Sequence, residues 1–357
     1  MRISLVTYTR NDHAFVEELL RQSASWGVPL AEILVVDDAS APPFPERDSL
    51  RVLRLAANKG PGQAKRLGLA AAKGDVILSL DADIRLSPGW LRSALRHLAD
   101  PTVGIVGATI LPALADTYLS RALFGMSRLE KREKKDVEVT FLPGGVWLFR
   151  RQVWEETGGL ADYDAPAHED YWISRRLREN GLRLISADSR AAYEKRRLTR
   201  HAYCRRQALY CAPGLAAAAA RESLAAILGN LKKDLAPSLA YAARSGEAAI
   251  VYIELLRAAH LLAEVARINP DLFPGKTSPA AGALALAQDF PKLFALLRED
   301  LTLLGLAPET TPSPLPFLAE CFDPLLKGGF LPLLDAVWVD KLREEDASTD
   351  FDAHYLQ

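Results

Sequence analysis

Asp81 and Asp83 stand one residue apart at the end of the apolar run Val76-Ile-Leu-Ser-Leu80. Two carboxylates so placed suit a hard divalent cation, which takes oxygen ligands and shares them with substrate phosphates. Asp-rich turns after strands are common in their own right, so the neighbouring segments must carry the case. A second acidic pair, Glu169-Asp170, follows His168 at the start of a helical run. Adjacent helical residues point about 100° apart, so the two cannot share one task. The pair suits general-base chemistry on a hydroxyl, or simply the positive end of a helix. Asp37 and Asp38 close another apolar run, Glu32-Ile-Leu-Val-Val. Asp38 could accept hydrogen bonds from a base or ribose with Asp37 alongside, or both could cap a turn. Thr7 and Tyr8 end the first apolar run, where backbone and hydroxyls could hold the same ligand. Asn58, Gly60 and Gly62 let backbone approach a ligand closely, because glycine has no Cβ. Lys65, one turn into the next helix, could reach a phosphate. Gly144 and Gly145 form a tight turn, and Trp147 beside them either stacks on a ring or packs in a core.

These residues need elements to hold them. Ile3–Tyr8, Glu32–Asp37, Leu50–Leu55, Val76–Leu80 and Val103–Val106 read as strands. Between them run helical spacings from Asp12 to about Trp26, from Gly62 to about Lys73, and from Ser87-Pro88 to about Leu98. This alternation predicts a doubly wound α/β domain, whose ligands sit beyond the carboxyl ends of the strands. Val137–Leu142 and Val146–Arg150 read as short strands, and Leu184–Ala187 as an edge strand. From about Ala212 the composition becomes rich in Ala and Leu. Helical patterns near 215–235, 238–268, 280–304 and 316–342, separated by Pro and Gly, predict an all-α domain. The expected division is 1–212, 213–342 and a polar, acidic, disordered tail at 343–357.

The 357 residues carry a net charge of −1 and are 49% hydrophobic, which allows a large core and gives no basic field for nucleic acid. Cys204, Cys211 and Cys321 are too scattered for a disulfide framework or a zinc site. The N-terminus opens on a strand without a leader pattern, and no apolar run reaches the ~20 residues needed to cross a bilayer. A cytoplasmic protein is expected, with peripheral contact at the inner face of the membrane left open. Arg190–Arg206 holds seven Lys or Arg against Glu194. Such a run suits a diphosphate or a phosphorylated acceptor, or is simply solvated.

The first part resembles the catalytic domain of glycosyltransferase family 2 enzymes, over about Arg2–Tyr210. The resemblance rests on Val35-Val-Asp-Asp-Ala-Ser40, Asn58-Lys-Gly-Pro-Gly-Gln-Ala-Lys65 through Gly68, Gly74-Asp-Val-Ile-Leu-Ser-Leu-Asp-Ala-Asp83, Pro143-Gly-Gly145 and Glu169-Asp170, in the family's order. It implies the GT-A nucleotide-diphospho-sugar transferase fold and an inverting, metal-dependent transfer. The donor would be a nucleotide-diphosphate sugar, and the acceptor a hydroxyl of a glycan, lipid-linked or protein acceptor, as in polysaccharide biosynthesis. By the same resemblance Asp83 ligates Mn or Mg, Asp81 contacts ribose or the ion, and Asp170 is the base with Glu169 orienting the acceptor. Relatives place a third, histidine ligand after the last strand of the domain; here that ligand is Glu194, His201 or absent, with His201 preferred. Relatives usually carry Ala-Arg-Asn where this chain has Ala64-Lys65-Arg66. The helical part is expected to serve acceptor recognition or self-association as a homo-oligomer. Two rival readings are a nucleotidyltransferase and a nucleotide-binding scaffold without catalysis. A dinucleotide-dependent oxidoreductase is disfavoured, since no Gly-x-Gly-x-x-Gly follows the first strand.

Overall fold

Ile3–Thr9 and Val76–Leu80 are buried at nearly every position, and Leu34–Asp37 likewise. Strands covered on both faces belong inside a largely parallel sheet, and that is where the computed structural model has them. The structure describes residues 1–112, 117, 119–122, 136–165, 168–187, 192–194, 199–204, 216, 222–273, 278–306, 316–327 and 329–347. The chain divides into two compact units, Met1–Ala113 with Lys131–Arg196, and Leu114–Glu130 with Arg197–Gln357.

The first unit runs β1 Ile3–Thr9, α1 His13–Ser23, β2 Glu32–Asp37, β3 Arg51–Arg54, α2 Pro61–Ala71, β4 Val76–Leu80, β5 Ile84–Leu86, α3 Trp90–His97, β6 Val103–Gly107 and β7 Ile110–Pro112. It continues with β8 Val137–Val139, β9 Val146–Arg150, α4 Arg151–Glu156, α5 Glu169–Glu179, β10 Arg183–Ser186 and β11 Ala192–Glu194. Among the described residues, eight strands form one sheet in the order β3-β2-β1-β4-β9-β6-β10-β8. β9 runs antiparallel to β4 and β6, and β8 antiparallel to β10; the other pairs are parallel. The expected strand near 184–187 is therefore not at the edge: β8 covers it. β5, β11 and β7 form a separate three-stranded sheet, which the sequence pattern does not announce because each strand is three residues long. The α/β architecture expected from the alternation of strands and helices is the one observed.

α2 sits tightly on the sheet for a local reason. A Cβ on Gly68 would lie 2.5 Å from Val6 Cγ1 and 2.9 Å from Val36 Cγ2. Only a residue without a side chain permits that approach, and it brings Lys65, one turn earlier, down to the strand ends. Apolar clusters fill both faces of the sheet. Leu5, Leu78, Val106 and Leu148 lie on one side, and Val6, Ile77, Trp147 and Phe149 on the other.

The second unit is helical: α6 Leu224–Ser245, α7 Ala248–Ile268, α8 Pro279–Leu286, α9 Pro291–Leu303, α10 Pro316–Lys327, α11 Phe330–Leu333 and α12 Val339–Ala347. Its core gathers around α7, which is buried along most of its length. The element limits differ from the sequence pattern in four places. α6 passes through Pro237, and the break falls at Gly246, whose φ of +74° suits a helix C-cap. The stretch 280–304 divides at Pro291, a residue well placed at the first turn of a new helix. The stretch 316–342 divides at Gly329, with φ +81°. α12 also extends helix into the expected tail as far as Ala347; 348–357 lie outside the described residues.

The unit boundary falls at 196/197 instead of 212/213, and 114–130 joins the helical unit. The cause is burial: Leu119, Ala122, Tyr203 and Cys204 are part of the helical core. Arg200, almost fully buried, pairs there with Asp300, which has no exposed surface. Removing one partner of such a pair strands the other charge, at a cost of roughly 3–5 kcal/mol. Asp300→Ala is thus expected to lower the urea-unfolding free energy of the helical unit by about that amount. No helix among the described residues is long and apolar enough to cross a membrane.

Candidate functional site

The sheet itself assembles the site. β4 and β9 pair antiparallel with Leu80 opposite Val146, so the turns beyond them meet. The Asp81 amide donates to the Gly145 carbonyl at 3.0 Å, and the Ile84 amide to the Asp81 carbonyl at 3.0 Å. That closes the Asp81–Asp83 turn against the Gly144–Gly145 turn. On the far side, the Gly144 amide donates to Asp170 Oδ2 at 3.2 Å, and the Tyr171 amide to Asp170 Oδ1 at 2.8 Å. Leu142 donates its amide to the Ser174 hydroxyl at 3.2 Å, so the segment leading to the turn is tied to α5. The glycine turn is the hinge piece between the two acidic pairs.

Lys65 lies between them. Its Nζ is 2.7 Å from Glu169 Oε1 and 3.3 Å from Asp81 Oδ1, and the side chain is 2% exposed. The Tyr8 and Trp147 rings lie 5.3 and 5.0 Å from the same nitrogen, within cation–π range. Lys65, expected to reach a phosphate, is held here by the two acids. Trp147 is fully buried and belongs to the core.

The charges perturb one another. Burial works against the Lys65 ammonium, but Asp81 and Glu169 beside it hold its pKa well above the ordinary lysine value. Burial pushes the Asp81 carboxyl up to about 6, Asp83 and Glu169 add to the rise, and Lys65 opposes it. Asp170 is raised by burial and by Glu169, against Lys65 and the Tyr171 and Gly144 amides. Tyr163, buried nearby, has its phenol raised by burial and then by Glu169 and Asp170. The sequence reading missed Tyr163. Its carbonyl accepts from Gln63 at 3.1 Å and Arg66 at 3.1 Å, so the only early sign of it was the pair of polar residues flanking Lys65.

The remaining candidates fall into distinct environments. Asp37 has no exposed surface; its oxygens accept from the Ser40 and Phe44 amides at 2.9 and 2.8 Å and from Arg54 Nε at 3.2 Å. Burial raises its pKa, and these donors together bring it below the usual value. Asp38 accepts from the Lys59 amide at 2.7 Å and the Gly60 amide at 2.9 Å. Both acids therefore fix the loops that border the site. Gly60 has φ +84° and leads Pro61 into α2, while Asn58 Oδ1 accepts from the Gly60 amide at 3.1 Å. Thr7 is buried, and its hydroxyl has no hydrogen-bond partner among the described residues. Glu194 belongs to β11 in the first unit. His201 belongs to the second unit, where Arg200 Nη2 lies 3.0 Å from its Nε2. Much of the basic run, at 190–191, 195–198 and 205–206, lies outside the described residues.

A divalent ion can be tested against this donor set. Among the described residues no group of three or more His, Cys, Asp or Glu is arranged to hold a metal. Asp81 and Asp83 nevertheless suit an ion that keeps several waters and fills its shell with phosphate oxygens. Among the described residues, Asp81 Oδ1 is buried without a hydrogen bond, with the longer approach of Lys65 beside it. An oxygen in that state fits a cation.

Gly144 yields a sharp prediction. A Cβ there would lie 2.7 Å from Lys65 Nζ and 2.9 Å from Glu169 Oε1. Both are tips of flexible side chains, so the fold can yield at little cost while the site cannot keep its shape. Gly144→Ala is expected to shift the unfolding free energy by less than about 1 kcal/mol, yet to lower the turnover of the purified protein about 10²-fold.

Residues 4–158 match the model of "Glycosyl transferase family 2". A pre-mycofactocin glycosyltransferase of Mycobacterium tuberculosis is 33% identical over 164 residues, covering 43% of this chain and 35% of the relative. A polypeptide N-acetylgalactosaminyltransferase 6 of Bos taurus is 27% identical over 121 residues, covering 31% of this chain and 20% of the relative. The chain thus spans about a third or less of the curated relatives it matches. A mannosyltransferase from Pyrobaculum calidifontis, solved with GDP-Man and Mn2+, aligns with a TM-score of 0.45 at 21% identity, over 86% of this chain and 85% of its own. The match runs from β1 past the glycine turn and takes in Asp81, Asp83, Gly144 and Gly145, so this stretch of the chain is similar to glycosyl transferase family 2.

Proposed function

We propose that this chain is a glycosyltransferase that moves a sugar from a nucleotide-diphosphate donor to a hydroxyl of a glycan, lipid-linked or protein acceptor, with inversion at the anomeric carbon. The observation that carries the reading is the meeting of two acidic pairs across one glycine turn: Asp81 bonded to Gly145, and Asp170 bonded to Gly144. The first pair suits the leaving side of a displacement and the second the attacking side.

Asp83 and Asp81 would hold Mn or Mg. When bound, the ion supplies positive charge for the departing diphosphate. Asp170, with its pKa raised by burial, takes the proton from the acceptor hydroxyl as the new oxygen–carbon bond forms. The bond from the anomeric carbon to the diphosphate breaks in the same displacement, and the nucleoside diphosphate departs. A single displacement inverts the sugar. Glu169, held by Lys65, orients the acceptor. Thr7, Tyr8, Asn58 and Gly60 line the donor side, and Asp37 and Asp38 keep its loops in shape. The helical unit would add acceptor recognition or self-association.

The test is a donor panel with Mn2+ on the full chain. Thermal shift identifies the binder, since a ligand of the folded form raises its stability, and product analysis follows the sugar. Sugar transfer or slow donor hydrolysis supports the reading. Pyrophosphate release would replace it with nucleotidyl transfer, and binding without turnover of any donor would replace it with a scaffold.

A further inference from the structure

Segments far apart in sequence meet at one nitrogen. Lys65 Nζ makes a 2.7 Å bond to Glu169 Oε1, while its 3.3 Å approach to Asp81 Oδ1 leaves that oxygen without a hydrogen bond of good geometry. The Tyr8 and Trp147 rings lie on the same ammonium. One contact is thus strong and the other exchangeable. Lysine suits such a position: its ammonium is compact and its three donors rotate among partners. With the Asp81 contact given up, the ammonium keeps Glu169 and two ring faces, so it need not leave its place.

We propose that Lys65 is a positioning residue that stands in at Asp81 for the divalent cation. Its ammonium offsets the Asp81 carboxylate in the ligand-free protein, and it yields that oxygen and stays on Glu169 when a cation binds. The inference rests on reading Asp81 and Asp83 as the cation-holding pair. Two positive charges compete for one carboxylate, so Lys65 lowers the intrinsic cation affinity of the site. Its withdrawal onto Glu169 links filling of the donor side to the setting of the acid pair, which places donor loading before acceptor activation. A lysine that only braced the fold would act in the opposite sense, since its loss would loosen Asp81 and weaken cation binding.

The test is a titration of the full chain with Mn2+ alone, in which the free ion is followed by its electron paramagnetic resonance signal. Lys65→Met is expected to bind Mn2+ about tenfold more tightly than the wild type, and Lys65→Arg, which keeps the charge, no more tightly. Lys65→Met leaves Glu169 buried beside no ammonium. The double variant Lys65→Met/Glu169→Gln removes that lone charge and is expected to show the same tightening. Equal or weaker binding in the double variant overturns the inference, as does tightening in Lys65→Arg. Asp83→Asn separates the two levels. Mn2+ binding unaffected by Asp83→Asn sinks the cation reading and this inference with it. Binding lost in Asp83→Asn but not tightened by removal of Lys65 sinks this inference alone.

Discussion

Asp83→Ala is expected to lower sugar transfer roughly 10²–10³-fold, the range seen when a preorganised charge-stabilising group is removed. The loss should fall on turnover and on Mn2+ dependence together, because the same carboxylate would hold the ion against the diphosphate. It should not fall on the fold, since Asp83 lies in a turn beyond β4 and Asp81 keeps its backbone bond to Gly145. Circular dichroism with initial-rate kinetics over a Mn2+ series would separate the two. The wild type should also respond to pH through Asp81. An ion is ligated by the ionised carboxylate, and burial lifts this group from its ordinary 3.8 to about 6. Mn2+ affinity should therefore fall as pH drops through about 6. The stability sign is the reverse. A carboxyl with a raised folded-state pKa contributes stability that is fully present below 3.8 and lost as pH rises through about 6. Metal-free protein should thus lose that contribution over the interval in which it gains affinity for the ion. A Mn2+ affinity that stays flat from pH 5 to 7 would contradict the assignment.

Asp170→Asn is expected to cost ~10²–10⁴ in kcat, the usual contribution of a positioned general base, with donor KM nearly unchanged. The amide keeps the shape of the carboxylate but has one acceptor oxygen, so it can keep only one of the bonds from the Gly144 and Tyr171 amides, which reach different oxygens of Asp170; circular dichroism would show whether α5 stays in place. Glu169→Gln should behave differently: it weakens the bond to Lys65, so the effect should reach acceptor KM and Mn2+ dependence as well as kcat. The raised pKa of Asp170 predicts that the wild-type rate climbs with pH from the acid side and that this limb disappears in Asp170→Asn. Equal losses in KM and kcat for Asp170→Asn would assign it to acceptor binding and not to proton transfer.

The strands that hold these residues were legible because each is a short apolar run closed by turn chemistry. β4 and the Asp81–Asp83 turn lie where the pattern put them. The position of Lys65 was not legible. The pattern offered it to a phosphate, but Gly68 lets α2 sink onto the sheet and Glu169 arrives from 104 residues away. Neither event leaves a local trace. Asp38 has the same history: the amides of Lys59 and Gly60, 21 and 22 residues further on, take its oxygens. Pro237 misleads for a different reason. A helix buried by its neighbours can carry a proline that an isolated helix would not, because tertiary packing outweighs propensity.

The passage of 114–130 into the helical unit bears on how the chain is made. As the polypeptide leaves the ribosome, Leu119 and Ala122 emerge well before the helices that will enclose them. Segments awaiting a late-synthesised core are exposed to misassembly in the interval. A polypeptide truncated after the last strand of the sheet would never leave that interval, so the sheet-bearing unit is not a portable module: its sequence is stitched to helices that are translated after it.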